Sequence, residues 1–361
     1  MGAAMLPGAG FRTFEQADRV LVALSGGVDS SVCVQILRDQ GFDVSALVIR
    51  FSPAHDAVVE AARAAAQQLG VPLTVADCAD LFEREVVAPF CRSYCAGETP
   101  SPCITCNPLV KFRALCDEAD RQGIPFVATG HYARVEERGG KYYVARAVSA
   151  ARDQSYMLYR LPQDVLRRLC LPLGEFEKDD IRAMAREMRL ACADAPDSQE
   201  ICFIPDGDYA AFIRARGIED KSGRFIGPDG EDLGAHRGVS HYTVGQRKGL
   251  GVAYGEPVFV RRILPGGDIQ LARSGGEFYA GVTLRDAVRA DGGAFSPGEA
   301  LEVKIRSRAQ PAPCTVQPMP DGALTVRFDS PLRAPAPGQS AVFYADGLVV
   351  GGGVIDTLLE T

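Results

Sequence analysis

Through the first third of the chain, apolar residues come in short β-branched runs separated by stretches of helical spacing. Val20 to Leu24, Val44 to Ile49, Pro72 to Val75 and Pro125 to Ala128 predict strands, and Val32 to Gln40, Ala57 to Leu69 and Leu109 to Arg121 predict helices. Strands and helices in alternation predict an α/β fold with a parallel sheet. Ligands of such sheets lie beyond the carboxyl ends of the strands, so the turn from Ser25 and the segment Thr129-Gly130-His131 are expected to face one ligand. Residues 152–190 carry helical spacing, with Leu158, Leu166, Ile181, Met184 and Ala185 inward. From Asp206 to Gly255 the periodicity gives way to turn signals such as Pro228-Asp229-Gly230, which predicts a small central domain. From Val258 onward short runs (Val258 to Ile263, Leu301 to Ile305, Leu324 to Phe328, Ala341 to Tyr344) predict a C-terminal β-barrel or small sandwich. The expected division is residues 1–204, 205–270 and 271–361.

The chain has 361 residues, of which 47% are hydrophobic and 24% charged, enough for two or three domains with separate cores. Its net charge of −7 argues against a surface coated in positive potential but leaves room for a local basic groove. Arg247, Lys248, Arg306 and Arg308 are candidates for that groove. No apolar run is long enough to span a bilayer, and Met1 to Gly10 lacks the regions of a signal peptide and is expected to be a loose tail. The expected location is the cytoplasm. Eleven cysteines in such a chain point to thiol chemistry or metal binding rather than to a disulfide framework. Cys33, Cys78, Cys116, Cys170, Cys192 and Cys314 stand singly among apolar or helical neighbours and are expected to act as small hydrophobes.

Ser25-Gly26-Gly27-Val28-Asp29-Ser30-Ser31 sits between the first strand and first helix, where free N–H groups and the helix dipole favour a phosphate. Gly26 and Gly27 let the backbone approach the anion, and Ser25, Ser30 and Ser31 add hydroxyls. The turn lacks the lysine of a Walker A loop, which favours cleavage between the α and β phosphates over γ-phosphoryl transfer. The plainer alternative is a strand–turn–helix connection closed by a serine cap.

Cys103 and Cys106 form a C-x-x-C on a proline-stiffened loop before a helix expected from about Pro108, with Lys111 one turn further on. A helix start beside a lysine lowers a thiol's pKa, and the thiolate is both nucleophile and metal ligand. A structural zinc knuckle would need a second such pair, and the sequence holds none. Cys202, in Pro196-Asp197-Ser198-Gln199-Glu200-Ile201-Cys202-Phe203, is a third candidate whose plainer reading is a buried core thiol.

Together these segments resemble the bacterial tRNA-specific 2-thiouridylases of the pyrophosphatase-loop superfamily. The likeness spans nearly the whole chain. Its other carriers are Ala128-Thr129-Gly130-His131-Tyr132-Ala133-Arg134, Asp153-Gln154-Ser155-Tyr156, Tyr242 to Leu250 and Pro337-Gly338-Gln339. The resemblance implies an N-terminal nucleotide-binding domain, a small central domain and a C-terminal β-barrel. It implies ATP held by Ala23, Leu24, Ser25, Gly26, Gly27, Val28, Asp29, Ser30, Ile49 and Gly130, with Mg2+. It implies tRNA contacts at Ser101, Pro102, Cys103, His131, Arg152, Asp153, Gln154, Arg306, Ser307 and Gln339, with Ser307 replacing a family tyrosine.

The chemistry implied is adenylation of uracil O2 at the wobble position, then attack of sulfur on C2. Cys202 matches the family's persulfide carrier, supplied by a sulfur-relay protein or cysteine desulfurase, and Cys106 the cysteine that releases product through a disulfide. Where the family has an acid–base aspartate this chain has Cys103, whose thiol has an ordinary pKa about four units higher. That departure raises a second sulfur carrier, a [4Fe–4S] cluster on Cys103, Cys106 and Cys202. The runner-up activity is a pyrophosphatase-loop ligase acting on a small molecule.

Overall fold

The computed structural model describes residues 18–195 and 201–361; the predicted tail and the Pro196–Glu200 part of the Cys202 segment lie outside the described residues. β1 (Arg19–Ala23) leads through the Gly-rich turn into α1 (Val28–Asp39), and β2 (Asp43–Arg50), α2 (Asp56–Leu69), β3 (Leu73–Asp77) and β4 (Phe126–Ala128) follow. Val20, Leu21 and Val22 are fully buried because β1 is the central strand of a parallel sheet covered on both faces. α2 turns Val59, Ala62, Ala66 and Leu69 inward at helical spacing and ends on Gly70 in the left-handed conformation.

A hairpin of β5 (Ala133–Arg138) and β6 (Lys141–Arg146) follows β4, and β7 (Leu169–Cys170) completes the sheet in the order β3-β2-β1-β4-β7. The helical reading of residues 152–190 is corrected here. That stretch holds a 3-10 turn at Ser155–Leu158, a helix at Gln163–Leu166 and β7, and only Lys178–Glu187 is a helix of several turns. A two-residue strand leaves no periodic signature, so its neighbours dominate the pattern.

The central module is a four-stranded sheet of β8 (Arg224–Ile226), β9 (Asp232–Ala235), β10 (Val258–Ile263) and β11 (Ile269–Arg273). Val258 to Ile263 thus belongs to this sheet and not to the barrel. β12 (Phe278–Arg289), β13 (Glu299–Lys304), β14 (Ala312–Pro318), β15 (Leu324–Arg333), β16 (Ser340–Ala345) and β17 (Leu348–Leu359) pair in the order β12-β15-β14-β13-β16-β17. β12 then pairs with β17 from Gly281↔Leu359 to Arg289↔Gly351, which closes a six-stranded barrel around Val282, Leu284, Val303, Val316, Val326 and Phe343. The N-terminal hairpin extends the same sheet, because β6 pairs with β17 at Leu348↔Ala145.

Candidate active site

Gly27 is the N-cap of α1, and no described side chain caps that helix, so its first N–H groups lack intrahelical partners and an anion is favoured there. The Ser30 hydroxyl instead donates to the Gly27 carbonyl (3.1 Å) and accepts from the Ser25 N–H (3.2 Å), which tightens the turn. Gly26 has φ +78°, and a Cβ there would stand 2.5 Å from the Ala61 carbonyl carbon of α2. Only glycine lets the turn lie so close to that helix.

A cavity of about 450 Å³ opens over the turn. Nine of the ten residues expected at ATP line it, Ala23, Leu24, Ser25, Gly27, Val28, Asp29, Ser30, Ile49 and Gly130, while Gly26 packs against α2. His131, Arg152 and Gln154, expected at tRNA, line the same cavity. Their backbone is fixed by a pair of hydrogen bonds: Gln154 Oε1 accepts from the Tyr132 N–H (2.9 Å), and the Gln154 N–H donates to the Tyr132 carbonyl (2.7 Å).

The lysine missing from the turn arrives from elsewhere. Lys178, almost fully buried at the start of its helix, donates to Asp29 Oδ1 at 2.7 Å, and the Tyr132 hydroxyl donates to the same oxygen at 2.8 Å. Both residues line the cavity, as do His55 and Lys111. Sequence reasoning did not assign Lys178, Tyr132 or His55. The His131 imidazole stacks on Phe112, hydrogen-bonds Thr129 Oγ1 at 2.7 Å and is held well below its ordinary pKa by burial, with the Lys111 charge adding to it. It is a neutral hydrogen-bonding group at physiological pH.

The thiols stand beside this cavity. Pro102–Cys106 is already a helix, continued by a π-helical turn at Asn107–Lys111 and the helix Phe112–Arg121. The C-x-x-C therefore lies within a first helical turn and not on a loop ahead of one. Asn107, buried, donates to the Met157 carbonyl at 2.9 Å and ties this helix to the segment after Gln154. Cys202 comes alongside because Phe203 inserts edge-on between Phe82 and Phe90, at 5.4 and 5.3 Å, in an apolar cluster that also contains Cys106 and Val110.

Cys103 and Cys202 are exposed, Cys106 is buried, and all three are free thiols. They are close enough that Cys103 and Cys202 each raise the Cys106 thiol, while Lys111 lowers both Cys106 and Cys202. The expected depression of the thiol pKa is corrected at Cys106: burial outweighs Lys111 and pushes it up to about 12, and desolvation pushes Cys202 up to about 11.

Three of the other expected tRNA residues, Asp153, Arg306 and Gln339, hold the protein itself together. The Asp153 carboxylate is buried, accepts from the N–H groups of Ala147 and Ser155, and lies 3.7 Å from Lys304 of β13. It faces the barrel rather than the cavity. The Arg306 guanidinium donates to the carbonyls of Val244 and Ala334, joining the central module to the barrel. Gln339 Nε2 donates to the Thr99 carbonyl. Pro102 is buried, and half-buried Ser101 packs its hydroxyl on the Met157 sulfur, while Ser307 lies half-buried in the turn after β13.

A parallel α/β sheet with an uncapped helix start and a cavity over the carboxyl ends of its strands is the fold of the HUP class. Residues 18–206 match the model of the tRNA methyl transferase HUP domain, 211–268 the tRNA methyl transferase PRC-barrel domain, and 294–355 the aminomethyltransferase beta-barrel domain. Curated relatives along nearly the whole chain carry the name tRNA-specific 2-thiouridylase MnmA. The protein of Carboxydothermus hydrogenoformans is 41% identical over 94% of this chain and 98% of its own length. That of Acetivibrio thermocellus is 40% identical over 93% and 99%, and that of Heliobacterium modesticaldum 42% identical over 94% and 92%. The chain belongs to the tRNA-specific 2-thiouridylase family.

Proposed function

We propose that this enzyme 2-thiolates the wobble uridine of tRNA, with ATP in the 450 Å³ cavity and sulfur delivered from Cys202. The observation that carries this reading is the place of Lys111, which lines the nucleotide cavity and lies within charge range of both Cys106 and Cys202. The uridine is turned out of the anticodon into the pocket edged by His131, Arg152 and Gln154. Its O2 attacks the α-phosphorus of ATP and pyrophosphate leaves, held by the α1 N-terminus and Lys178. Asp29 is the acidic residue among those lining the cavity, so Mg2+ would rest on Asp29 and on phosphate oxygens, its usual donor set.

The terminal sulfur of a Cys202 persulfide then attacks C2 and AMP departs with O2. The Cys106 sulfur attacks the Cys202 sulfur as its thiol proton passes to the departing thiouridine, the S–S bond to the product breaks, and a Cys106–Cys202 disulfide remains for an external thiol to reduce. The persulfide is supplied by a relay protein or cysteine desulfurase reaching exposed Cys202. The cluster alternative fits less well: among the described residues no three His, Cys, Asp or Glu side chains are grouped to hold a metal. We assign the chemistry to residues 1–204, the anticodon contact to 271–361, and the linkage between them to 205–270. No helix among the described residues is long and apolar enough to cross a membrane.

The test is pyrophosphate release and thiouridine formation with a tRNA transcript and a persulfide donor. Cys202→Ser should keep tRNA-dependent pyrophosphate release and lose roughly 10³-fold or more of thiolation, as expected of a nucleophile. Asp29→Ala should lose both. Release triggered by a metabolite in the absence of tRNA would sink the reading in favour of a small-molecule ligase.

A further inference from the structure

Glu98 and Thr99 form the connection into the thiol helix, four residues before Cys103, and this short stretch is gripped from outside its own domain. The Thr99 N–H donates to the Pro337 carbonyl at 2.8 Å, and the Thr99 carbonyl accepts from Gln339 Nε2 at 2.6 Å, so both backbone groups of Thr99 are used by the barrel. The Glu98 carboxylate pairs with Arg285 of β12 at 3.0 Å, and Arg285 is itself braced by Asp356 of β17 at 3.0 Å. Gly338 has φ +86°, and a Cβ there would stand 2.8 Å from Glu98 Cβ and 3.0 Å from the Thr99 nitrogen. The gripping turn is stapled to β17, because the Gly338 N–H donates to the Ile355 carbonyl and the Ile355 N–H to the Gln339 carbonyl. The central module touches the same stretch, with Ile263 of β10 where a Cβ on Gly97 would be.

We propose that Gln339 and Arg285 are positioning residues for sulfur transfer: through Thr99 and Glu98 they set where Cys103 and Cys106 stand against the nucleotide cavity. This rests on the thiolation reading above. The resemblance places Gln339 at the tRNA; its amide donor is instead committed to the protein. A barrel that holds both the anticodon and the connection to the thiols fixes the distance between target base and sulfur. Misplacement of about 1 Å in such a geometry costs up to about 10²-fold in rate, which makes the grip a kinetic device as well as a structural one.

The experiment uses the full-length protein with tRNA, ATP and a persulfide donor, and reads kcat, KM for tRNA and the iodoacetamide alkylation rate of Cys103 by mass spectrometry. For Gln339→Leu the expected result is a fall in kcat of about tenfold or more, with KM for tRNA within about twofold of wild type and Cys103 alkylation several-fold faster. Arg285→Ala should shift the same quantities in the same direction, and Arg285→Lys, which keeps the pair with Glu98, should return them towards wild type. A raised KM for tRNA with unchanged kcat and unchanged alkylation would make Gln339 a direct tRNA contact and overturn the proposal. Unchanged values throughout would overturn it as well. The alkylation readout needs no turnover, so it stands even if the wild-type protein makes no thiouridine, an outcome that would strike the functional reading alone. Should Gln339→Leu not fold, the Arg285 pair of variants decides.

Discussion

The nucleotide cavity and the thiol site lie side by side, yet they are held by opposite means. The cavity floor is one continuous stretch, β1 to α1, which follows the buried Val20, Leu21 and Val22 and is pressed against α2. The thiol site is gathered from Pro102–Cys106 and from Cys202, and is kept in place by Phe203 and by the barrel's hold on Thr99. On the reading proposed above, the phosphate grip rests mainly on one stretch of chain, to which Lys178 is brought, whereas delivery of sulfur depends throughout on contacts between remote segments. Substitutions far from the sulfur atoms should damage transfer while sparing nucleotide binding.

The sharpest way to break this contrast is Phe203→Ala. It empties a buried aromatic position and should cost about 3–5 kcal/mol in urea unfolding. In the surviving folded fraction thiolation should fall while ATP binding persists; equal loss of both would erase the distinction. Next is Lys178→Met, which removes the cation on Asp29 Oδ1. A charge-assisted bond from Lys178 to a phosphate, as proposed above, contributes about 1.5–3 kcal/mol, so the KM for ATP should rise by roughly tenfold or more, with Cys103 alkylation unchanged.

The third test uses pH. With its value near 11, the Cys202 thiol should alkylate about tenfold faster for each pH unit between 7 and 9. Lys111→Met should slow that reaction at every pH, since the lysine favours the thiolate; an unchanged rate would remove Lys111 from the thiol site. The smallest effect is expected at His131. Its folded pKa is depressed, so below about 6.5 the unfolded chain takes up a proton that the folded chain refuses, and stability falls as pH falls. His131→Asn should flatten that decline, by at most about 1.4 kcal/mol per pH unit, in urea titrations between pH 5 and 7.

How much of this was legible in the sequence follows the same contrast. The place of the Gly-rich turn between β1 and α1 was readable because all its parts are neighbours in the chain, and the approach of Gly130 and His131 to the same cavity because they follow a strand of the same sheet. Lys178 was not, since it meets Asp29 across a separation of 149 residues and its own helix reads as an ordinary solvated start. Cys202 was placed by resemblance alone. The physical reason it reaches Cys106 is Phe203, whose partners Phe82 and Phe90 sit in a stretch that carried no expectation. Asp153, Arg306 and Gln339 were recognisable as residues that matter, but hydrogen-bonding side chains at domain junctions and at a substrate look alike until their partners are known. The direction of the thiol shift was misjudged because the helix start and Lys111 are visible in the sequence and burial is not.

The hairpin lent by the N-terminal domain to the barrel gives the protein a property its three-part plan conceals. With β6 paired to the start of β17 at Leu348↔Ala145, one hydrogen-bonded sheet runs across the boundary between the first and last thirds of the chain. Severing the chain between them would strip β17 of this neighbour and bare a strand edge that invites aggregation. Halves expressed separately should be poorly soluble and recover when co-expressed, which makes the enzyme a natural candidate for a split reporter of its own assembly.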